Sequence, residues 1–321
     1  MMKELKLVLA LVVAAGLSGS ALANPGTTGA LNGVEDVYTG AIPPPGFYLL
    51  NYGLYYHGNV KNANGGTNLT AGTPLVTHGR VTLIADAVRV LYSSNIQVLG
   101  GNLAWHTVVP LVHKDVTVGG MTLYPQSGLG DVYLSPAIIG WHLRDGLHIA
   151  AGLDVILPTG EFSRRYLLRD PVDPRIRSNM NIGTNHYTFE PVFAVSKEFE
   201  NGVILDAKLM YDLHTEEPVT NITTGQQFHM DYAITAPLII NIEGKGGVRL
   251  GLNGYYFAAM EQDEYRGSDI NGSKERVFAF GPLARYDVSP TTSLTFKALF
   301  EQNAHNRPEG NAFWLKLVHA F

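Results

Sequence analysis

The chain of 321 residues has no cysteine and few charged residues. Without cysteine, no disulfide framework can hold the fold together and no thiolate can bind a metal. Asp, Glu, Lys and Arg make up 16% of the chain, whereas an average soluble domain has about 25%. The net charge of −5 argues against a nucleic acid partner, because such partners need a basic surface.

Long apolar runs are also missing. Beyond residue 23, no run approaches the roughly 18 residues that a transmembrane helix needs. Near the N-terminus, Lys3 and Lys6 precede a shorter apolar run at 7–17, and Ala21-Leu22-Ala23 provides small residues for cleavage. This order is typical of a secretory signal peptide, so we expect residues 1–23 to be removed. The mature chain is then either soluble or crosses a membrane as strands.

Alternation of apolar and polar side chains is what the sequence has in abundance. Along 203–213, Val203, Leu205 and Leu209 lie on one face of the expected strand, opposite Asp206 and Lys208. Segments of this kind, about ten residues long, are typical of transmembrane strands. Twelve segments are predicted as strands: 46–57, 80–92, 97–112, 130–143, 146–157, 186–199, 202–213, 227–241, 247–258, 276–287, 292–302 and 311–321.

The connections between these segments alternate in length. Short turns are predicted at 93–95, 144–146, 200–202, 243–247 and 288–291, and several contain Asp-Gly or Asn-Gly. Long polar loops are predicted at 58–79, 113–129, 158–185, 214–226, 259–275 and 303–310. Outer-membrane barrels have short periplasmic turns and long extracellular loops. Residues 45–321 are therefore predicted to form an all-β, transmembrane antiparallel β-barrel of about twelve strands.

Two kinds of proline-containing segment need explanation. Proline cannot donate a ladder hydrogen bond, so prolines inside predicted strands indicate bulges or kinks. Residues 24–44 are rich in Gly and Pro, and we call them the leader. The leader is expected to be either a disordered periplasmic tail or a plug inside the barrel. The prolines inside strands are Pro110, Pro136, Pro191, Pro237 and Pro282.

The chain ends in Phe321, at the end of an alternating strand. A terminal aromatic residue on such a strand resembles the assembly signal of bacterial outer-membrane barrels. It indicates the outer membrane as the location and the barrel assembly machinery as a partner. In a closed barrel, the last strand should pair with the first strand, near Phe47–Tyr56.

Charged residues on the predicted lumen face have two interpretations. Buried charges need partners, so these residues either brace the wall or line a route for a solute. An apolar route would instead show aromatic stripes, with Tyr55, Tyr255, Phe257, Phe278 and Phe280 as candidates. The predicted lumen residues are His148, Asp154, Glu190, Asp206, Lys208, Asp231, Arg249 and Lys297, with Asp212, His229 and Glu301 on the same face.

No catalytic or cofactor motif is found. The chain has no Gly-x-Ser-x-Gly elbow, no His-Glu-x-x-His sequence and no phosphate-binding glycine loop. No serine is predicted to face inward with a histidine directly across, so we expect no enzymatic activity and no cofactor. His142 and His148 would face each other across a turn, but no third ligand is evident, so no metal site is predicted.

The loop at 158–185 is basic. Its arginines could bind the phosphates of lipopolysaccharide, for which bidentate guanidinium groups are suited. Internal ion pairs with Glu161, Asp170 and Asp173 are an equal alternative. The acidic loop at 259–275 could pair with this basic loop or hold divalent cations. The arginines are Arg164, Arg165, Arg169, Arg175 and Arg177.

Four blocks in the middle of the chain resemble one family. They are Ser127-Gly128-Leu129-Gly130-Asp131-Val132-Tyr133-Leu134-Ser135-Pro136, Pro158-Thr159-Gly160-Glu161-Phe162, Asn185-His186-Tyr187-Thr188-Phe189-Glu190-Pro191 and Gly225-Gln226-Gln227-Phe228-His229-Met230-Asp231-Tyr232. Their order and spacing are similar to the family named for the meta-pathway of phenol degradation, over roughly residues 45–321. Ile222 departs from the pattern, where an aromatic residue is expected.

This resemblance implies an outer-membrane channel for passive uptake of small hydrophobic or aromatic compounds, linked to their catabolism. Its partners would be a small hydrophobic solute and the lipids around the barrel. A structural or adhesive barrel with a closed lumen is the first alternative. A barrel enzyme acting on lipid is the second.

Overall fold

A computed structural model describes residues 32–67, 78–122, 125–169, 177–239 and 247–321. The expected signal peptide, residues 24–31 of the leader and most of the 243–247 turn lie outside this part of the chain. Among the described residues, no helix has the length and apolar character to cross a membrane.

Twelve long antiparallel strands form one closed ring. Each strand pairs with its neighbours in the chain, and the first and last strands pair from Tyr48↔Ala320 to Val60↔Pro308. Closure gives every strand a partner on both sides, as a sheet in lipid requires. The strands are β1 (Gly46–Val60), β2 (Gly79–Val98), β3 (Gly101–Val118), β4 (Val132–His142), β5 (Leu147–Leu157), β6 (Thr188–Glu198), β7 (Ile204–His214), β8 (Gln227–Ile239), β9 (Val248–Ala259), β10 (Arg276–Ser289), β11 (Thr292–His305) and β12 (Pro308–Ala320).

The fold confirms the predicted barrel, with one turn misplaced and one long loop absent. The loop predicted at 303–310 is wrong, because β11 continues to His305 and β12 begins at Pro308, so only Asn306 and Arg307 connect them. The predicted turn at 93–95 is wrong, because β2 continues to Val98 and the chain reverses at Leu99 and Gly100. Both turn residues have positive φ, 51° and 79°, which is the geometry of a tight hairpin. The Ser93–Asn95 segment instead forms a bulge, where the register with β3 shifts between Ser93 and Gln97.

The prolines inside the strands lie where strand pairing is irregular. The register shifts between Leu134 and Ala137, around Pro136, and between Pro237 and Ile239. This confirms the bulges predicted at Pro136 and Pro237. Each of the other three prolines pairs with a residue on one neighbouring strand. On its other side, it has no paired residue in the ladder. These pairs are Pro110 with Ala87, Pro191 with Leu153 and Pro282 with Leu252.

At the loop end of the barrel, short strands join some of the long loops. Leu167–Arg169 pairs with Arg177–Asn179. Ile222–Thr223 pairs with Glu264–Tyr265, which in turn pairs with Ser268–Asp269. The acidic loop therefore pairs with the 214–226 loop, whereas we had expected the basic loop or cations as its partners.

The outer face of the barrel is apolar and carries aromatic rings near the turn end. Phe47 packs against Tyr92 in a tilted arrangement, with ring centroids 4.6 Å apart, and Tyr92 stacks on Trp105 at 5.8 Å. Aromatic rings of this kind mark the boundary between membrane and water. The Phe321 side chain is 80% exposed, and its N–H donates to the carbonyl of Phe47 at 3.1 Å.

Candidate functional site

Inward and outward side chains alternate along the barrel wall. On β7, Asp206, Met210 and Asp212 are buried, whereas Leu205 and Leu213 are about 40% exposed. A strand projects successive side chains to opposite faces, so the buried residues face the lumen and the exposed leucines face lipid. The lumen is polar near the middle of the barrel and apolar towards the loop end.

The middle of the lumen holds a set of buried or half-buried charged and polar side chains that we call the polar band. These residues come from strands on opposite sides of the ring and meet around the leader. The polar band consists of Arg89, His106, Ser135, Asp154, Glu190, Asp206, Lys208, Asp212, His229, Asp231, Lys297 and Lys316.

Most of the predicted lumen residues lie in this band. Asp154, Glu190, Asp206, Asp231 and Lys297 are each at least nine-tenths buried. Lys208 bridges to Asp154 at 3.8 Å. The remaining two, His148 and Arg249, lie near the turn end of the lumen, outside the band.

The leader is hydrogen-bonded to the band through its backbone. The N–H groups of Gly33 and Glu35 donate to the two carboxylate oxygens of Asp231, at 2.7 and 2.9 Å. The N–H of Thr39 donates to Asp206 at 3.1 Å. These contacts are made to β8 and β7, and they hold the leader inside the barrel.

Glu35 joins the leader to two strands by ion pairs. Its carboxylate lies 2.8 Å from the guanidinium of Arg89 on β2 and 3.6 Å from the Lys208 ammonium on β7. Burial alone would raise the pKa of the Glu35 carboxyl, but the positive charges of Arg89 and Lys208 outweigh burial and hold that pKa below its usual value. Glu35 is therefore ionised at neutral pH.

Asp36 joins the leader to β11 and β12. Its side chain is buried between the ammonium groups of Lys297, at 3.1 Å, and Lys316. Lys297 also donates to the carbonyl of Val34 at 2.7 Å. Burial opposes ionisation of Asp36, but the two lysines dominate and lower its pKa.

Four charged residues of this network were missed from the sequence: Glu35, Asp36, Arg89 and Lys316. Arg89 lies in an otherwise apolar segment, so its place in the lumen was not recognised. Its neighbours Val88 and Val90 are exposed on the outer face, and strand alternation therefore directs Arg89 inward. Glu35 and Asp36 are flanked by Val34 and Val37, both buried. An acidic pair between apolar residues was a usable signal that this part of the leader is packed.

A serine, a histidine and an aspartate meet in the band, which corrects one expectation. Ser135 pairs directly with His106 across β3 and β4, and both are buried. Ser135 and Asp154 both contact Nε2 of His106, whereas Nδ1 faces Arg89 at 2.5 Å. A catalytic triad needs the carboxylate on Nδ1, so that the histidine can take a proton from serine at Nε2. This arrangement is a hydrogen-bonded cluster without that geometry.

An apolar cavity of about 200 Å³ lies beside the polar band on its loop side. Most of its wall is aliphatic or aromatic. Its polar edge consists of Asn32, Lys114, Asp131, Glu301 and Arg307, and the hydroxyls of Tyr56 and Tyr255 donate to Glu301. A cavity of about 150 Å³ with an apolar lining can hold benzene. The apolar part of the wall is formed by Tyr52, Leu54, Val81, Leu83, Ala85, Ala87, Pro110, Val112, Tyr133, Ile182, Ala312 and Trp314.

The five aromatic candidates divide between the two faces of the wall. Tyr255 lines the cavity, and Phe257 is fully buried under Arg307, whose guanidinium carbon is 4.5 Å from the ring centroid. Tyr55, Phe278 and Phe280 are 39–48% exposed and lie on the outer face. The prediction of an inward aromatic stripe is therefore wrong for these three, because they occupy the opposite parity of their strands.

The turn end of the lumen opens into a separate cavity of about 500 Å³. Arg249 and Arg285 both line it and face each other as a cross-strand pair. Arg249 donates to the carbonyl of Gly202 at 2.5 Å, and Arg285 pairs with Asp287 at 2.7 Å. The lumen entrance on this side is therefore basic.

His142 and His148 meet across the turn between β4 and β5, as the sequence predicted. Their Nδ1 atoms are 2.7 Å apart and the pair is exposed. Among the described residues, the group of three metal-ligating side chains that lie close together is Glu190, Asp212 and His229. The histidine pair is not part of that group.

The basic loop is described only in part. Arg164 and Arg165 are exposed in a short 3-10 turn, and Arg165 lies over the ring of Tyr166 at 4.5 Å. The backbones of Arg169 and Arg177 pair directly. Arg175 lies outside the described residues.

Comparisons with known proteins identify the family. The family described as "Putative MetA-pathway of phenol degradation" matches residues 59–317. The chain belongs to this family. No curated protein matches the chain.

Solved structures agree with the barrel fold of this family member. The chain is similar to an outer membrane channel from Pseudomonas putida F1, with 16% identity, a TM-score of 0.68, and coverage of 88% of this chain and 97% of that one. It also resembles the translocator domain of the autotransporter NalP from Neisseria meningitidis, at 8% identity and a TM-score of 0.48, covering 88% and 91%. The family member is an outer-membrane barrel.

Proposed function

We propose that this protein is an outer-membrane channel for passive uptake of small hydrophobic compounds, with single-ring aromatic molecules as its main solutes. The observation that carries the proposal is the apolar cavity of about 200 Å³ inside a barrel whose lumen is otherwise charged. Apolar side chains inside a barrel do not contact lipid, and contact with water does not favour them. It does suit a solute that must leave water on its way through the wall.

The family and the similar channel from Pseudomonas putida support the same function. The family is described by a pathway of phenol degradation, and the similar structure is described as an outer membrane channel. A compound that feeds such a pathway must first cross the outer membrane. Passive movement down a gradient needs no cofactor.

In this proposal the leader is a plug below the cavity. Its contacts with Asp231, Asp206 and Lys297 close the middle of the lumen. The lumen residues of the polar band hold the plug, and Arg249 with Arg285 forms the periplasmic exit. A solute in the cavity can then reach the periplasm only when the leader moves or when the solute passes beside it.

The experiment replaces one residue of the cavity wall. In cells that depend on this protein for uptake, Trp314→Ala should raise the half-saturation concentration for a radiolabelled single-ring aromatic. Ring contacts contribute about 0.5–1.5 kcal/mol, which is about a twofold to tenfold change. Phe313→Ala is the matched control, because Phe313 is the next residue on β12 and faces lipid. Equal effects of the two variants would argue against the cavity as the solute site.

A closed structural barrel is the second candidate, and the buried leader favours it. The ion pairs of Glu35 and Asp36 fill the centre of the lumen with charges that are satisfied without any solute. Such a barrel would show no aromatic uptake in any variant. Uptake that depends on Trp314 separates the two functions.

An enzymatic function is not proposed. Ser135, His106 and Asp154 lack the order of a catalytic triad, and all three are buried. A lipid substrate would need to reach the serine through the wall. We retain the expectation that the barrel has no catalytic activity.

Two partners complete the proposal. Phe321 would be recognised by the barrel assembly machinery, since its ring is 80% exposed at the end of the closing strand. The exposed Arg164 and Arg165 would bind lipopolysaccharide phosphates at the loop end. Replacing both arginines with glutamine should weaken retention on lipopolysaccharide-coated beads.

A further inference from the structure

Three buried ligand-type side chains meet on adjacent strands of the barrel, away from the apolar cavity. Glu190 lies on β6, Asp212 on β7 and His229 on β8, and each is at least 98% buried. Their nearest oxygen and nitrogen atoms all lie within 4.8 Å of one another. Among the described residues, none of the three is hydrogen-bonded to the leader, and none lines the apolar cavity.

The distances within the group fit one metal ion. Nε2 of His229 lies 3.1 Å from Oε2 of Glu190 and 3.4 Å from Asp212. Oxygen and nitrogen ligands lie about 2.1 Å from a zinc ion, so two of them are about 3.0 Å apart at a right angle and about 3.4 Å apart at the tetrahedral angle. The observed separations span this interval.

The charge of the group also favours a cation. Two carboxylates at this distance, both away from water, need a shared proton or a positive ion between them. Without a shared proton, a protonated His229 leaves one negative charge unbalanced, and Lys208 on β7 already pairs with Glu35 and Asp154. A divalent ion bound to two carboxylates and a neutral imidazole gives a neutral site.

A fourth group points into the same space. The Tyr133 hydroxyl is buried and has no hydrogen-bond partner among the described residues. Tyr133, Glu190 and His229 all line one small cavity of about 40 Å³. This volume exceeds the roughly 10–15 Å³ that a water molecule needs, so a metal-bound water could sit there and pair with the hydroxyl.

We propose that Glu190, Asp212 and His229 bind a first-row divalent metal ion, with Zn²⁺ as the best fit to two oxygen ligands and one imidazole. The ion bridges β6, β7 and β8 at the height of the leader. The proposal departs from the sequence-based prediction of no metal site. It is independent of the proposed solute.

The test measures metal binding by the purified full-length barrel in detergent after treatment with a chelator. Co²⁺ is added first, because its visible absorption reports its ligands, and Zn²⁺ is then used to displace it. We expect one ion per chain and a rise in unfolding temperature with Zn²⁺, since binding favours the folded state. Loss of a residue that only hydrogen-bonds to a metal ligand weakens metal binding about tenfold to hundredfold. His229→Gln removes a ligand itself, so it should weaken metal binding by more than this.

His148→Gln is the matched control, because it removes the same residue type from the exposed pair at the turn end. It should leave the Co²⁺ spectrum unchanged. Asp212→Asn provides a second variant of nearly equal size, in case His229→Gln does not fold. Folding is checked by heat-dependent migration on a gel. The proposal is overturned if the wild-type barrel binds no ion, if His229→Gln and Asp212→Asn both retain wild-type binding, or if His148→Gln loses binding.

Discussion

At the scale of single residues, buried charges bind the leader to the wall. Asp36 lies between Lys297 and Lys316, and all three are more than nine-tenths buried. A buried ion pair is weak evidence for net stability, but removing one partner leaves an uncompensated charge. The leader is therefore held in place by residues whose loss has a large and local effect.

Asp36→Asn tests this residue. Two buried ammonium groups would lose their carboxylate, at a cost of about 3–5 kcal/mol. We expect a lower unfolding temperature and a higher single-channel conductance in planar bilayers, because the leader would leave the lumen more often. Asp86→Asn is the control, since Asp86 is exposed and bonded to Asn51 at 3.0 Å. Wild-type conductance in Asp36→Asn would show that this carboxylate does not hold the leader.

Much of the wall could be predicted at this scale, because strand periodicity gives the parity of each side chain. The inward face of β7, with Asp206 and Asp212, follows from alternation alone. Where both faces of a strand are apolar, the alternation of side chains does not show which face points into the lumen. Trp314 and Lys316 were thus visible as one face of β12, but their place inside the lumen depends on closure with β1.

At the scale of elements, the leader is a separable part of the barrel. It precedes β1, and its described residues, 32–44, contribute no strand to the ring. Deleting residues 24–44 should therefore leave the barrel folded and raise its conductance, because the centre of the lumen would be open.

The matched control for this deletion is a barrel lacking the same number of residues from the long 158–185 loop, outside the lumen. Heat-dependent migration on a gel confirms folding of both variants. If the leader deletion folds and conducts no better than the wild type, the wall itself closes the lumen.

Phe321 supports a second prediction at this scale. Phe321 is exposed, and it contacts the barrel through one backbone hydrogen bond to Phe47 and an edge-on contact with the His319 ring, with ring centroids 4.8 Å apart. Deleting Phe321 should therefore reduce the amount of protein in the outer membrane severalfold without changing the unfolding temperature of refolded protein. Leu315→Ala, an outward change on the same strand, should leave assembly unchanged. A fall in both stability and assembly would indicate a structural role instead.

Element boundaries show why the sequence could not give every turn. Ser93, Ser94 and Asn95 have the composition of a turn, yet the Ser94 hydroxyl donates to the carbonyl of Leu103 and accepts from Ile96. Bulges and turns use the same residue types, since both need side chains that bond to nearby backbone. Only pairing with β3 distinguishes the two.

At the scale of the whole molecule, the lumen is layered along its axis. A basic vestibule at the turn end leads to the polar band and leader, and an apolar cavity follows towards the loops. The outer face is mostly apolar along the strands, as lipid requires, and Asp86 with Asn51 forms a polar pair on it. Sequence patterning predicts the outer face and the ring. The apolar cavity could not be predicted, because its wall combines residues from strands far apart in the chain.

The most direct test of the account is aromatic uptake across an intact outer membrane, where lipopolysaccharide slows apolar solutes. Cells lacking this protein are compared with the same cells expressing it, using a radiolabelled single-ring aromatic and a polar sugar of similar size. The account predicts a faster initial rate for the aromatic compound when the protein is present and equal rates for the sugar. Equal aromatic rates with and without the protein would contradict it.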